Sequence, residues 1–289
     1  MAKLEDRRSE NEAGDFFVDT TCIDCDACRW IAPSTFERRS GLSAVHRQPS
    51  TPEELRQALQ ALVSCPTSSI GTESKHAMKE VLASFPIPVA ENVFHCGYHE
   101  ESSFGAATYF LQRPEGNVLI DSPRFAGPLI RRLEALGGVK TMFLTHVDDV
   151  GDHQKFHDHF GCERVLHSED ARGRLRNVER LIDGEDPVSL DEDLLVVPVP
   201  GHTKGSCVLL YRGRYLFSGD HVAWSEGLGQ VYAFRSACWY DWEIQIESMK
   251  RLADFTFEWI LPGHGRRCRF EAPRMRTEME RAVRWMQAS

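Results

Sequence analysis

Apolar positions recur at helical spacing in TPEELRQALQALVSC, residues 51–65, where Leu55, Ala58, Leu59 and Leu62 share one face. Thr51 stands where an N-cap belongs, Pro52 takes the first helical position, and Glu53 and Glu54 fall in the first turn. TESKHAMKEVLASF, residues 72–85, reads as a second, more polar helix that stops at Pro86-Ile87-Pro88. From Glu91 the pattern changes to short apolar runs separated by turns and helices. YFLQRPEGNVLIDSP (109–123) predicts two strands around a turn at 114–116, and PLIRRLEALGG (128–138) a helix ending at Gly137-Gly138. KTMFLTH (140–146) is a buried strand, DHQKFHDHFG (152–161) a helix and ERVLHS (163–168) another strand. LLVVPVPGHTKGSCVLLYRGRYLFSGDHV (194–222) gives three strands, and a helical part begins near Asp241 and runs into FEWILPGHG. Alternation of this kind predicts a layered α/β domain.

Composition changes this picture little. The 289 residues suffice for one large domain or two, with 42% hydrophobic and 27% charged residues as in ordinary soluble proteins. No apolar run approaches the roughly 20 residues of a membrane helix. The charged start, MAKLEDRRSENEAGD, lacks the apolar core of a secretory signal and reads as a disordered end over residues 1–15. A net charge of −9 argues against non-specific nucleic-acid binding. Nine cysteines, an odd number, do not suit a closed disulfide set, and a cytoplasmic location is expected.

Cysteine spacing brings in chemistry. In FFVDTTCIDCDACRWI (16–31), Cys22, Cys25 and Cys28 form C-x-x-C-x-x-C, which fits a tight loop around one corner of an iron–sulfur cluster. Cys65, before Pro66, is the candidate fourth ligand. A zinc site or reduced structural thiols are the alternatives. Over residues 16–75 the chain resembles bacterial-type ferredoxins, whose two-cluster members repeat C-x-x-C-x-x-C-x-x-x-C-P with the last Cys of each motif serving the other cluster. Here Ala32 precedes Pro33 in the first motif. In the second, Leu55, Ala58 and Ala61 stand where the first three Cys would be, and only Cys65-Pro66 remains. That resemblance implies one [4Fe–4S] cluster on Cys22, Cys25, Cys28 and Cys65, in a small α+β ferredoxin-like domain spanning 16–85.

Several strand ends in the later segment carry metal-type side chains: His146, His202 in PGHTKGS, Asp220 in FSGDHV and His264 in LPGHGRR. Imidazole and carboxylate together suit zinc, iron or manganese. LIDSP, TH at 145–146, GHTKGS at 201–206, SGD at 218–220 and PGHG at 262–265 keep the order of the metallo-β-lactamase superfamily, which this chain resembles over residues 90–270. The resemblance implies a four-layer αββα sandwich over residues 88–289 with a metal site on one edge. The sequence departs from the family at THVDDVGDH, where T-H-x-H-x-D-H is usual. One alignment puts Asp148 in the usual Asp place and Asp149 in that of the next His. Another makes Asp152-His153 the Asp–His pair and puts Asp148 in place of the second His. His153 lies one helical turn beyond Asp149 and is a candidate for the missing imidazole. Helix capping is the competing role for Asp148 and Asp149.

In the two-metal version implied by the resemblance, Asp220 bridges the ions. His146, His202 and Asp148 hold one ion, and His264, His153 and an Asp hold the other. Bound zinc or iron then makes a water nucleophilic, giving hydrolysis of an ester, thioester or related bond with Asp220 and Asp148 as catalytic carboxylates. Two further functions stay open. His146, His202 and Asp220 also make the two-His-one-carboxylate set of non-haem iron, used in persulfide dioxygenase-like members of the superfamily, which fits an oxidoreductase fed by the cluster. A redox-sensing binding module is the third. The expected partners are a small-molecule substrate and a redox protein, with neither nucleic acid nor membrane. The aromatic-rich stretch 223–243 is a candidate pocket wall.

Overall fold

The structure is a computed structural model that describes residues 2–289. It forms two compact units: the first comprises residues 2–118, 122–139 and 151–160, the second residues 119–121, 140–150 and 161–289. Among the described residues, no helix is long and apolar enough to cross a membrane.

In the first unit, β1 (Phe16–Val18) pairs antiparallel with β4 (Ile70–Thr72), and β2 (Phe36–Arg39) with β3 (Leu42–Val45). Between them run α1 (Ala27–Ile31) and α2 (Pro52–Ser64). The sequence signal for α2 is met in full. Thr51 Oγ1 accepts from Glu54 N at 3.2 Å, the Glu54 carboxylate accepts from Thr51 N at 3.2 Å, and Pro52 opens the helix. Ala58 and Ala61, which occupy the lost cysteine positions, are buried.

The next helix is much shorter than expected. α3 is only Lys79–Ala83, because the residues before it are drawn into other bonds: Ser74 N donates to Asp15 Oδ1 at 2.6 Å and His76 Nε2 pairs with Asp15 Oδ2 at 2.6 Å. Residues 2–15 are also more ordered than the sequence suggested. A short 3₁₀ turn covers Leu4–Asp6, and the buried Arg8 guanidinium donates to the Ser43 and Arg39 carbonyls.

The compact units do not divide at residues 86–88. β5 (Ile87–Ala90), β6 (Val93–His95) and β7 (Tyr109–Leu111) form an antiparallel run that stays with the first unit, as do α4 (Gly127–Ala135) and α5 (His153–Phe160). The cause is bonding back to α2: His99 N donates to Ser64 O at 3.3 Å and Arg124 Nη2 to Val63 O at 3.2 Å. β8 (Val118–Ile120) gives Val118 to the first unit and its remaining residues to the second.

In the second unit, β9 (Thr141–Phe143), β10 (Glu163–His167) and β11 (Arg180–Ile182) pair in parallel. A six-stranded sheet follows the order β12 (Val188–Ser189), β13 (Leu194–Pro198), β14 (Cys207–Tyr211), β15 (Tyr215–Gly219), β18 (Trp259–Pro262), β19 (Cys268–Arg269). Only its β15–β18 pair is parallel. β16 (Ala223–Ser225) and β17 (Gln230–Tyr232) form a hairpin. α6 (Trp242–Leu252) and α7 (Ala272–Ala288) cover the six-stranded sheet, and Ile246, Met249, Met275, Met279 and Met286 share a core with Val208, Leu216 and Ile260. Burial of this many large apolar side chains, at about 1.5–3 kcal/mol each, is what holds these layers together. The helical part expected from Asp241 thus breaks at Leu252, and ILP at 260–262 belongs to β18, whose partners on both sides supply its backbone bonds.

The edge of the parallel run is fixed by one ion pair. The buried Arg164 grips Glu179 through Nε at 3.0 Å and Nη2 at 2.7 Å, and Arg164 N donates to the same carboxylate at 2.9 Å. Burial raises the Glu179 carboxyl, but these bonds outweigh it and bring the group from 4.5 to about 2. A lowered folded-state value stabilises above the unfolded value and is lost as pH falls through the folded one. Glu179→Gln is therefore expected to cost about 2 kcal/mol at pH 7, a buried-pair loss discounted for the partial exposure of Glu179. In urea denaturation the gap between parent and variant should stay constant down to about pH 4.5 and narrow below it.

Candidate metal centre

Strand ends in the second unit bring the ligand set together. Asp121 directly follows β8, His146 comes three residues after β9, His202 lies between β13 and β14, Asp220 directly follows β15, and His264 comes two residues after β18. Ligand atoms of His146, Asp148 and His202 lie within 4.8 Å of one another, and so do those of His146, Asp149 and Asp220. Asp220 Oδ2 stands 3.8 Å from both His146 Nε2 and His202 Nε2. Asp148 Oδ2 is 3.4 Å from His202 Nε2 and 3.9 Å from His146 Nε2. His264 Nδ1 contacts both Asp220 oxygens, at 2.8 and 2.9 Å.

The structure thus separates the two adjacent aspartates. Asp148, on the exposed side, faces His146 and His202; Asp149, fully buried, faces Asp220. Neither caps a helix, since α5 begins only at His153. Asp152 is occupied elsewhere: its Oδ2 accepts from Phe125 N at 2.7 Å and its Oδ1 pairs with Lys155 at 2.7 Å. His153 is buried at the start of α5, in the first unit, and belongs to neither group of gathered ligand atoms. His157 and His159 lie on α5, while His167 Nε2 bonds Gly184 O at 2.9 Å.

Two residues that matter here were not singled out as site residues from the sequence. Thr145 Oγ1 lies 3.0 Å from each Asp121 carboxylate oxygen and 2.9 Å from His146 Nδ1, and Thr145 N donates to Asp121 Oδ1 at 2.8 Å. The hydroxyl has one proton, which goes to the carboxylate, so His146 Nδ1–H donates to Oγ1. That tautomer leaves the Nε2 lone pair facing the site, a standard way to orient a metal-binding imidazole. Asp170 is the second. It accepts from Val147 N at 3.0 Å, Thr203 Oγ1 at 2.6 Å and Gly205 N at 3.2 Å, tying the loop of His146 to the loop of His202. The TH pair at 145–146 was a visible signal for the first; nothing in the local sequence of SED marks the second.

Charge distribution tests whether a cation fits. Burial, with the charge of Asp220 beside it, raises the Asp149 carboxyl far above its usual value. Burial also raises Asp121, to about 7, against the bonds from Thr145. Burial acts in the same direction on Asp220, but His264, His146 and His202 outweigh it and hold that group below the carboxylate range. Contact with His202 lowers Asp148 against its partial burial. Burial lowers His146 to about 4, leaving it neutral. Imidazoles and crowded carboxylates together form a donor set that suits a cation. The buried atoms His146 Nε2, His202 Nε2 and Asp149 Oδ2 have no hydrogen-bond partner among the described residues, as expected of ligand atoms awaiting an ion. Gly263 keeps the space open, because a Cβ there would come within 2.6 Å of Asp149 Oδ2 and 3.0 Å of Asp220 Oδ1.

A second donor set lies wholly in the first unit. Cys22, Cys25, Cys28 and Cys65 line one small cavity together with Ser43 and Thr67. Asp24 and Asp26 adopt positive φ, 61° and 70°, which winds the CIDCDAC loop tightly, and both carboxylates are held by Arg29. Burial pushes the Cys25 thiol up to about 12 and Cys28 higher still, so ionised sulfurs there require a cationic partner such as cluster iron. Ser69 N donates to Cys65 Sγ at 3.2 Å, the kind of bond that tunes a cluster sulfur. Gly105, at φ 79°, lies so close that a Cβ would meet Cys25 Sγ at 3.0 Å.

Residues 18–72 match the family described as the 4Fe-4S single cluster domain of Ferredoxin I, a span containing all four cysteines. A metallo-β-lactamase from Pontibacter korlensis superposes with a TM-score of 0.51 at 18% identity, covering 70% of this chain and 98% of its own. The chain has the metallo-β-lactamase fold. Its α/β class and the ferredoxin-type segment ahead of it are as the sequence led us to expect. Curated relatives of this metallo-β-lactamase-fold protein include hydroxyacylglutathione hydrolases from Rhodospirillum rubrum, 29% identical over 42% of this chain, and Bradyrhizobium sp., 31% identical over 39%. The chain spans about half the length of these relatives, 48% and 45%.

Two outcomes follow for the centres. Cys65→Ser should abolish acid-labile sulfide and the visible iron–sulfur absorbance after anaerobic purification, while Cys96→Ser, at a buried thiol outside the cavity, should leave both intact. Thr145→Val removes the acceptor of His146 Nδ1 without changing shape, and should weaken metal affinity roughly 10- to 100-fold in chelator competition.

Proposed function

We propose that this protein is a metal-dependent hydrolase of an ester or thioester, carrying a single [4Fe–4S] cluster on Cys22, Cys25, Cys28 and Cys65. The observation that carries this reading is the convergence of three buried, unsatisfied ligand atoms, His146 Nε2, His202 Nε2 and Asp149 Oδ2, around Asp220. His146, His202 and Asp148 would hold one ion; Asp149 and His264 a second; Asp220, within 3.8 Å of both imidazoles, is placed to serve both. Bound divalent metal makes a water nucleophilic at neutral pH and polarises a substrate carbonyl. The chain does the rest. Thr145 and Asp121 fix the tautomer of His146, Asp170 holds the two histidine loops in register, and Gly263 keeps the carboxylates in close approach. No Ser or Cys nucleophile is required. The similarity to proteins named hydroxyacylglutathione hydrolase makes a thioester the first substrate class to try.

A non-haem iron oxidoreductase is favoured by one feature, the carboxylate of Asp148 beside His146 and His202, since added oxygen donors move a site from zinc toward iron or manganese. A small-molecule substrate and a redox partner for the cluster belong to this proposal, as does a cytoplasmic setting.

Anaerobic purification, metal and sulfide analysis, and assay against a hydroxyacylglutathione thioester test it together. Hydrolysis that tracks zinc, iron or manganese at the second-unit site should fall about a thousandfold in His202→Ala, a loss of about 4 kcal/mol of transition-state stabilisation, with the cluster retained. Turnover that instead consumes dioxygen or reductant, with no hydrolysis, selects the oxidoreductase. A second unit that takes up no metal removes both.

A further inference from the structure

A pocket of about 560 Å3 opens beside the candidate ligand group, with Asp148 and Val147 in its lining. Trp239 and Tyr240 line it as well, 67% and 45% exposed. They are large apolar surfaces left uncovered, yet their backbone is not loose. Trp239 N donates to His202 O at 2.9 Å, Tyr240 N to the same carbonyl at 3.1 Å, and Asp241 N to Gly201 O at 3.0 Å. The aromatic pair is therefore fixed to the very loop that presents His202, and the Trp239 ring lies 6.3 Å from the His202 ring. Exposed aromatic area that is held rigid next to a reactive centre suits a ligand better than it suits water.

The charges around the pocket are nearly all engaged. Asp170 accepts three protein hydrogen bonds, Glu169 pairs with Lys204 at 2.9 Å, and Asp148 faces His202. Arg172 is different. It lines the same pocket, and among the described residues its guanidinium has no ion pair, hydrogen bond or ring contact. Its backbone is anchored, with Arg172 N donating to Asp170 O at 2.8 Å, so the side chain starts from a fixed point.

We propose that Arg172 and the Trp239–Tyr240 surface form a substrate subsite that takes a carboxylate joined through a short linker to a flat apolar group. Guanidinium meets carboxylate through two parallel hydrogen bonds, and the aromatic pair covers the apolar part, leaving the reacting carbonyl toward Asp148 and His202. The role of the bound molecule as substrate rests on the hydrolase reading; its binding does not.

Ligand-observed NMR on the metal-loaded full chain, with 4-phenylbutyrate and the uncharged 4-phenylbutyramide as probes, separates the two. The acid should bind about tenfold more tightly than the amide. Arg172→Gln should erase that preference with metal content and folding unchanged, and Trp239→Ala should weaken both probes. Equal binding of acid and amide in the parent overturns the subsite. So does an acid preference that survives Arg172→Gln, because the carboxylate would then be on the metal or elsewhere. Alongside, hydrolysis is compared for 4-nitrophenyl acetate and its hemisuccinate analogue. An Arg172-dependent acid preference with no hydrolysis of either ester keeps the subsite and sinks the hydrolase reading. Hydrolysis without the acid preference does the reverse.

Discussion

Three carboxylates, Asp121, Asp149 and Asp220, are buried in one corner of the second unit, and negative charge at that density needs cations around it. His264 supplies one polar contact to Asp220 and Thr145 satisfies Asp121, but Asp149 Oδ2 is left with no hydrogen bond. Burial and the charge of Asp220 push the Asp149 carboxyl upward. A divalent ion held there would offset the charge of Asp149 and Asp220 at once, and would give His146 Nε2 and His202 Nε2 a partner. The loops, the tautomer relay and the close approach at Gly263 all follow from the need to keep these groups near one another while apart from solvent.

The same logic runs in the first unit with softer donors. Four cysteines share a cavity, two of them driven by burial toward the neutral thiol. The neighbouring acids do not add to the problem, since Arg29 pairs with both Asp24 and Asp26. Where the two-cluster ferredoxin pattern would put further cysteines on α2, Ala58 and Ala61 are buried as packing residues.

Ordered motifs made most of the fold legible. Each strand-end motif from LIDSP to PGHG states a polar side chain after an apolar run, most of them with a glycine beside it, and such local constraints survive without knowledge of the tertiary structure. The capping box on α2 is local too. What stayed hidden depends on partners distant in sequence. Residues 72–78 have helical composition, yet Asp15 competes for Ser74 and His76. Arg8 reads as part of a charged tail until Ser43 and Arg39 offer it carbonyls. The boundary at 86–88 looked sensible because Pro86 and Pro88 punctuate it, while the bonds from His99 and Arg124 to the end of α2 cannot be read locally. α7 was legible and missed, its signal being Met275, Met279, Ala282 and Met286 at helical spacing. At the candidate centre, alignment left open which of Asp148, Asp149, Asp152 and His153 face the site; burial and contacts, which separate Asp148 from Asp149, are not local in sequence.

That separation bears on the metal. The Asp148 carboxylate stands beside His146 and His202, 3.9 and 3.4 Å from their Nε2 atoms. A carboxylate is anionic and harder than nitrogen, so an ion held by Asp148 would receive more ligand charge than one in an all-imidazole site. Such a site gains in tolerance for iron or manganese and loses some of the acidifying power that zinc has with neutral ligands. The thiolates of the first unit sort metal the opposite way, toward clustered iron. One chain therefore offers two donor sets of contrasting softness.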